Sequence, residues 1–271
     1  MDTIVSKSNE KVKYIKSLND KKFRNKYKAF YLEGIKVVTE ILDSKKAIDI
    51  MFIAYSKDLV LTSNGGKELL ERLEKEKNIE KVSFSANVFK YITDTVTPQG
   101  VLAVVKIPEY EVFNEIDNMN SSILILDKVQ DLGNLGTIIR SADAFGTKLI
   151  ICNVGTADVY SPKVIRSTMG SIYRIKVVYT NEISKVIGYL KLKKYDVIGT
   201  SLKTDKYIKD LEYNNKHAYI LGNEANGVSE ELLAKCNKLV KIDMANTAES
   251  LNVSVATSII LYEDYSNRNN N

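Results

Sequence analysis

The chain has 271 residues, 44% hydrophobic and 27% charged, enough for one large globular domain or two ordinary ones. No apolar run approaches the ~20 residues that cross a bilayer. The start, MDTIVSKSNEKVK, has no secretory apolar core, and Cys152 and Cys236 provide neither a disulfide framework nor a zinc site. The expected setting is therefore cytoplasmic, without membrane or metal.

The net charge of +5 is unevenly spread: residues 1–30 hold nine Lys or Arg against three acids, a local excess of six. Such a patch suits a polyanion, although a solvated Lys-rich helix has the same composition. In chain order, residues 9–18 set Val12, Ile15 and Leu18 on one helical stripe. FYLEG (Phe30–Gly34) is a short apolar run, followed by a second helical stripe through Ile35, Val38, Ile41 and Leu42. IDIMFIAY and VLAVVKI read as strands, with the helix GKELLERLEKEKN between them. PEYEVFNEIDNMNSS is acidic and weakly periodic. The boundary is placed there, giving a first domain at 1–106, a linker at 107–119 and a second domain at 120–271.

The second domain alternates. ILILD, KLIIC, RIKVVY, YDVIGTS, HAYILGNE and LVKIDM read as strands. A helix is expected at Asn134–Phe145, and Ser161-Pro162 opens a short one. EISKVIGYLKLK, SEELLAKC and the closing NVSVATSIILYEDY also read as helices, and SNRNNN as a frayed polar tail. The expected fold class is α/β, with a mostly parallel sheet covered on both faces. Ligands of such sheets bind beyond the carboxyl ends of the strands, so the loops after Asp127, Thr200, Leu221 and Ile242 matter most.

Three stretches place Gly, Asn and a charged group just past a strand: LDKVQDLGNLGTIIRSADAFG, ILGNEANGVSEEL and IDMANTAESLNVSVATSIILYE. In the first, Gly133 and Gly136 bracket a turn into a helix capped by Asn134, and Arg140 stands off the apolar stripe, placed to grip a phosphate. In the second, Gly222 admits a ligand to the backbone, Glu224 supplies a carboxylate, and Gly227 turns the chain. In the third, Ser250 and Asn252 sit where a helix begins, with free N–H groups at the same sheet edge. Taken singly, Asn134 and Ser250 read more readily as caps, and Gly133, Gly136, Gly222 and Gly227 as turn residues. The G-x-G-x-x-G and Walker-type phosphate loops are absent. His217 has no partner pattern and reads as structural or exposed. Neither cysteine has an adjacent histidine for thiolate catalysis.

Together the three stretches resemble the motifs of the SpoU (TrmH-like) family of RNA 2′-O-ribose methyltransferases, within the SPOUT superfamily. DLGNLGTIIRSADAFG resembles the first motif, LGNEANGVSEEL the second and ESLNVSVATSIILYE the third, in the family's order. Upstream, Ser6–Phe30, FYLEG and TDTVTPQGVLAVV resemble the substrate-binding domain that precedes many members, so nearly the whole chain is covered. One departure is Leu132, where many members carry proline.

The resemblance implies a SPOUT domain knotted as a trefoil behind a smaller α/β RNA-binding domain. It implies S-adenosylmethionine, held by Thr200, Ser201, Leu221, Gly222, Ile242, Met244, Ser250 and Leu251. The reaction would be methyl transfer to a ribose 2′-hydroxyl of RNA, with no metal and in a homodimer. Arg140 matches the family's catalytic arginine, and a guanidinium, which keeps its proton up to pH ~12, suits a phosphate anchor better than a base. Asn134, Glu224 and Asn252 would orient Arg140 and the substrate. The N-terminal domain points to 23S ribosomal RNA; a tRNA methyltransferase and an inactive RNA-binding relative are the alternatives.

Overall fold

The computed structural model describes residues 2–44, 48–213, 216–245 and 249–269. The chain divides into two units: Met1–Pro108 with Tyr160–Arg166, and Glu109–Val159 with Ser167–Asn271. Among the described residues, no helix is long and apolar enough to cross a membrane, and no group of three His, Cys, Asp or Glu is placed to hold a metal.

In the first unit, helices α1 (Glu10–Ser17) and α2 (Lys21–Tyr27) start where the side chains of Asn9 and Asp20 accept the N–H groups of Lys11 and Lys22. Strand β1 (Ala29–Glu33), α3 (Ile35–Asp43), β2 (Ile50–Tyr55), α4 (Lys57–Leu61), α5 (Gly66–Lys75), β3 (Lys81–Ser83), α6 (Ala86–Ile92) and β4 (Val101–Lys106) follow. The sheet order is β1-β4-β2-β3, with β4 antiparallel to both β1 and β2. The helical stripe expected at residues 9–18 is realised: Val12, Ile15 and Leu18 are fully buried, each contributing about 1.5–3 kcal/mol. They pack with Phe84, Phe89 and Leu102.

The second unit runs α7 (Val112–Asp117), β5 (Ile123–Leu126), α8 (Leu132–Ala144), β6 (Leu149–Asn153), α9 (Pro162–Ser167), β7 (Lys176–Thr180), α10 (Ile183–Leu192), β8 (Tyr195–Thr200), β9 (Lys216–Leu221), α11 (Glu230–Leu233), β10 (Lys238–Val240) and α12 (Val253–Asn269); α9 straddles the division. Its six strands are all parallel, in the order β10-β8-β9-β5-β6-β7. Both faces are covered, which is why ILIL and LIIC read as continuous apolar runs. Register aligns the carboxyl ends of three strands: Thr200 pairs with Val240 and Gly199 with Ile220.

Several local expectations change. The stretch 107–119, read as a linker, contains α7, whose Val112 and Ile116 enter the second unit's core; a helix of barely two turns is too short to show a clear period. Strand β10 ends at Val240, so Ile242 and Met244 lie in the loop beyond it. The polar tail is helical through Asn269, Asn267 and Arg268 bonding back to Glu263 and Asp264; Asn270 and Asn271 lie outside the described residues. So do Asn246–Ala248 of the third stretch.

Candidate active site

Helix α8 begins one turn earlier than its glycines suggest. Asp131 is its N-cap, accepting the N–H of Asn134 at 2.8 Å. Gly133 and Gly136 therefore lie inside the helix, and the Asn134 side chain, read from sequence as the cap, is released for other partners. The missed signal was Asp three residues before Asn, an ordinary N-cap spacing.

The loop after β9 folds back on itself. Asn223 and Gly227 exchange backbone hydrogen bonds of 3.0 and 2.8 Å, and Asn223 Oδ1 accepts the N–H groups of Ala225 and Asn226. Gly227 sits at φ 67°, a conformation that favours glycine. A side chain on Gly222 would meet Gly227 C at 1.9 Å and Val228 N at 2.0 Å. Gly222 is thus required by the loop's own return.

This folding presents Glu224 to the turn after β5. Its carboxylate accepts the N–H of Asp131 at 3.0 Å, the N–H of Gln130 at 3.2 Å and the Asn134 amide at 3.2 Å. Asn134 Oδ1 in turn accepts the Asn252 amide at 2.9 Å. Asn252 Oδ1 accepts the N–H groups of Ser254 at 2.9 Å and Val255 at 3.4 Å and so caps the start of α12. The chain Glu224–Asn134–Asn252 ties together the loop after β9, the first turn of α8 and the start of α12, which lie far apart in sequence. Burial works against the charge of Glu224, but hydrogen bonds from its own backbone, from Asp131, from Asn134 and from Gln130 outweigh it and hold its pKa below the ordinary carboxylate value.

Beside this chain lies a cavity of about 740 Å³ at the carboxyl ends of β8, β9 and β10, within the usual size of a small-molecule site. Thr200, Ser201, Leu221, Gly222, Ile242, Met244, Ser250 and Leu251 all line it, with Glu224 and Asn252. Leu233, Leu239, Val240 and Ile260 add apolar wall, and Lys203, Glu230 and Lys241 add charge. Arg140 is elsewhere: it is exposed on α8, outside the lining, about 9 Å along the helix axis from Asn134. Neither Asn134, Glu224 nor Asn252 hydrogen-bonds to it, and among the described residues its guanidinium has no partner.

Two supporting groups escaped the sequence reading. Asp127, 2% exposed, accepts the Asn153 amide at 2.8 Å and the N–H of Ser229 at 3.0 Å, and Lys128 O accepts the Asn223 amide at 2.9 Å. His217 is fully buried, its Nδ1 lying 2.8 Å from Tyr219 Oη and 3.1 Å from Asp264 Oδ1. An acid on the apolar stripe of α12, with Ile260 and Leu261 one turn before Asp264, was the available sign of that network.

Residues 121–262 match the SpoU rRNA Methylase family, and residues 9–103 the MRM3-like substrate binding domain. The chain is 35% identical over 262 residues to the 23S rRNA (guanosine(2553)-2′-O)-methyltransferase RlmP of Bacillus subtilis, covering 97% of this chain and 98% of that one. Among solved structures it is similar to an AdoMet-bound rRNA methyltransferase from Sinorhizobium meliloti, with 28% identity, TM-score 0.86 and 98% of each chain covered. It is also similar to the SpoU methyltransferase AviRb of Streptomyces viridochromogenes in complex with AdoMet, with 25% identity, TM-score 0.83, and 97% of this chain and 100% of that one covered.

Proposed function

The chain belongs to the SpoU rRNA methylase family, and from that premise we propose that it methylates a ribose 2′-hydroxyl of 23S ribosomal RNA with S-adenosylmethionine as donor. The observation that carries this reading is the convergence of the carboxyl ends of β8, β9 and β10, and the loops beyond them, on one cavity lined by all eight expected cofactor residues. The lining fits the cofactor. Leu221, Ile242, Met244 and Leu251 give a purine apolar walls, and Lys203, Glu230 and Lys241 suit a charged amino-acid tail.

S-adenosylmethionine supplies a methyl group on sulfonium, already activated for transfer. The chain's own residues must bring the ribose into line and favour loss of its hydroxyl proton. Arg140 is suited to the phosphate beside the target ribose, because its guanidinium is exposed and has no partner among the described residues; its charge then favours the alkoxide developing at that ribose. Asn134, Glu224 and Asn252 act differently from the sequence expectation. They hold the cavity wall through their mutual hydrogen bonds and leave Arg140 free to meet RNA.

The same reading includes a division of labour between a substrate-binding first unit and a catalytic second one, a cytoplasmic setting, a trefoil knot and a homodimer. The return of α12 to α8, where Ser141 and Ser258 share a 2.7 Å hydrogen bond, supports the knot. The exposed Val255, Tyr262 and Tyr265 on α12, the two tyrosines beside Phe145, support a dimer face. The test is methylation in vitro of 23S ribosomal RNA, 16S ribosomal RNA and tRNA, with the modified ribose mapped. Modification of 23S RNA is expected. Methylation of tRNA alone would move the substrate, and donor binding without methylation of any RNA would make the chain an RNA-binding relative.

A further inference from the structure

The nine basic residues near the N-terminus are joined by an aromatic feature that phosphate binding does not require. Helix α2 ends at Tyr27 because Lys28 takes the left-handed conformation, φ 49°, and turns the chain into β1. Phe23 and Tyr27, four residues apart, stack with ring centroids 6.1 Å apart and planes 18° from parallel. Tyr27 meets Tyr14 at 4.9 Å, and Tyr14 meets the buried Phe52 at 6.1 Å. A line of four rings, Phe52–Tyr14–Tyr27–Phe23, therefore runs from the core to the surface, where Tyr27 is 36% exposed and Phe23 half-buried.

Lysines, not acids, accompany this line. Lys22 lies over Phe23 with Nζ 5.9 Å from the ring centroid, Lys26 over Tyr27 at 5.2 Å and Lys11 over Phe52 at 4.3 Å. Lys11 also pairs with Glu80. Lys22 and Lys26 meet no carboxylate among the described residues. An exposed Tyr27 and a half-buried Phe23, flanked by lysines that meet no carboxylate among the described residues, suit a nucleic-acid strand with splayed bases: the aromatic pair stacks a base and the ammonium groups meet the phosphates. A duplex buries its base faces and can use only the lysines.

We propose that Phe23 and Tyr27, flanked by Lys22 and Lys26, form a stacking platform for unpaired nucleotides of the RNA substrate. The platform rests on the reading that the chain acts on RNA, and it narrows the substrate to an RNA that offers a single-stranded segment or loop.

The chain has no tryptophan, so Tyr27→Trp places a single indole at the platform without losing its stacking surface. Titration of the full-length variant with a short oligouridylate should quench the indole emission, and a blunt RNA duplex of equal length should not. Tyr27→Ala should bind the oligouridylate about tenfold more weakly with S-adenosylmethionine affinity unchanged, and Tyr27→Phe should bind it normally. If Tyr27→Ala does not fold, the quenching decides alone. Absence of quenching, equal quenching by the duplex, or undiminished oligouridylate binding by a folded Tyr27→Ala overturns the platform. Failure of the wild-type chain to bind any RNA overturns instead the reading on which it rests.

Discussion

At the scale of single residues, the site separates charge that is held from charge that is free. Glu224 is fixed by four hydrogen-bond donors, whereas Arg140 has no partner among the described residues. Arg140→Ala should therefore leave cofactor affinity near wild type and lower single-turnover methylation at saturating RNA by about a hundredfold or more. Arg140→Lys should retain part of the rate, since an ammonium keeps the charge and loses the bidentate fork. Unchanged turnover in both removes Arg140 from the mechanism. Glu224→Gln presents an amide N–H₂ to groups that are themselves donors, and should cost about 1 kcal/mol and weaken S-adenosylmethionine binding in a calorimetric titration. Its pH dependence has a definite sign. The folded carboxylate is more acidic than the unfolded one, so its stabilisation is fully present above the ordinary carboxylate range and is lost as pH falls through the lowered folded value. The variant should flatten that part of the acid limb in chemical denaturation; an unchanged limb would show that the hydrogen bonds do not tune this group.

At the scale of elements, the turn after β5 clamps the loop after β9 at three points. Lys128 O holds Asn223, the N–H groups of Gln130 and Asp131 hold Glu224, and Asp127 holds Ser229. The clamp works because the two strands are adjacent and parallel, which brings their carboxyl ends together. Asp127→Ala leaves a backbone N–H and the Asn153 amide without an acceptor in a buried place, at a cost of about 2–3 kcal/mol. That corresponds to a drop in Tm of roughly 5–10 °C, with weaker cofactor binding. Asp127→Asn retains an oxygen for Ser229 and should lose much less. Equal losses in the two variants, read by thermal melting, would rule out the acceptor role.

At the scale of the whole molecule, α12 is anchored far from its capped start. Asp264 receives hydrogen bonds from Ser122, Tyr219 and Arg268 and lies beside His217, so the segment before β5, strand β9 and the last helix share one buried carboxylate. Burial opposes its charge, but its bonds to His217 and Ser122, the Arg268 cation and the Tyr219 hydroxyl together keep its pKa below the ordinary value. Stability from this group is therefore present above the unfolded carboxylate pKa of about 3.9 and is lost as pH falls through the lower folded value. Asp264→Asn should cost about 3 kcal/mol near neutral pH, the low end for breaking a buried pair, and the difference from wild type should shrink in acid. A gap that stays constant with pH would assign the loss to packing.

The sequence by itself determined the alternation of strands and helices, the polarity of each face and the loops that would carry the chemistry, because hydrophobic period and turn residues are local properties of the chain. It also placed Thr200 and Leu221 at strand ends, but ran the last strand on through Ile242, two residues past its end at Val240. It misplaced the cap of α8 and did not show that the loop's own return crowds Gly222, since both depend on where a neighbouring side chain or backbone turns. Only the tertiary structure decided that Glu224, Asn134 and Asn252 touch, that Arg140 stands apart from them, and that His217 and Asp264 share a buried network. Those meetings follow from the strand order β10-β8-β9-β5-β6-β7. Period tells a residue which way to face, but strand order tells it whom to meet, and that order is set by long-range packing that no short stretch of sequence contains.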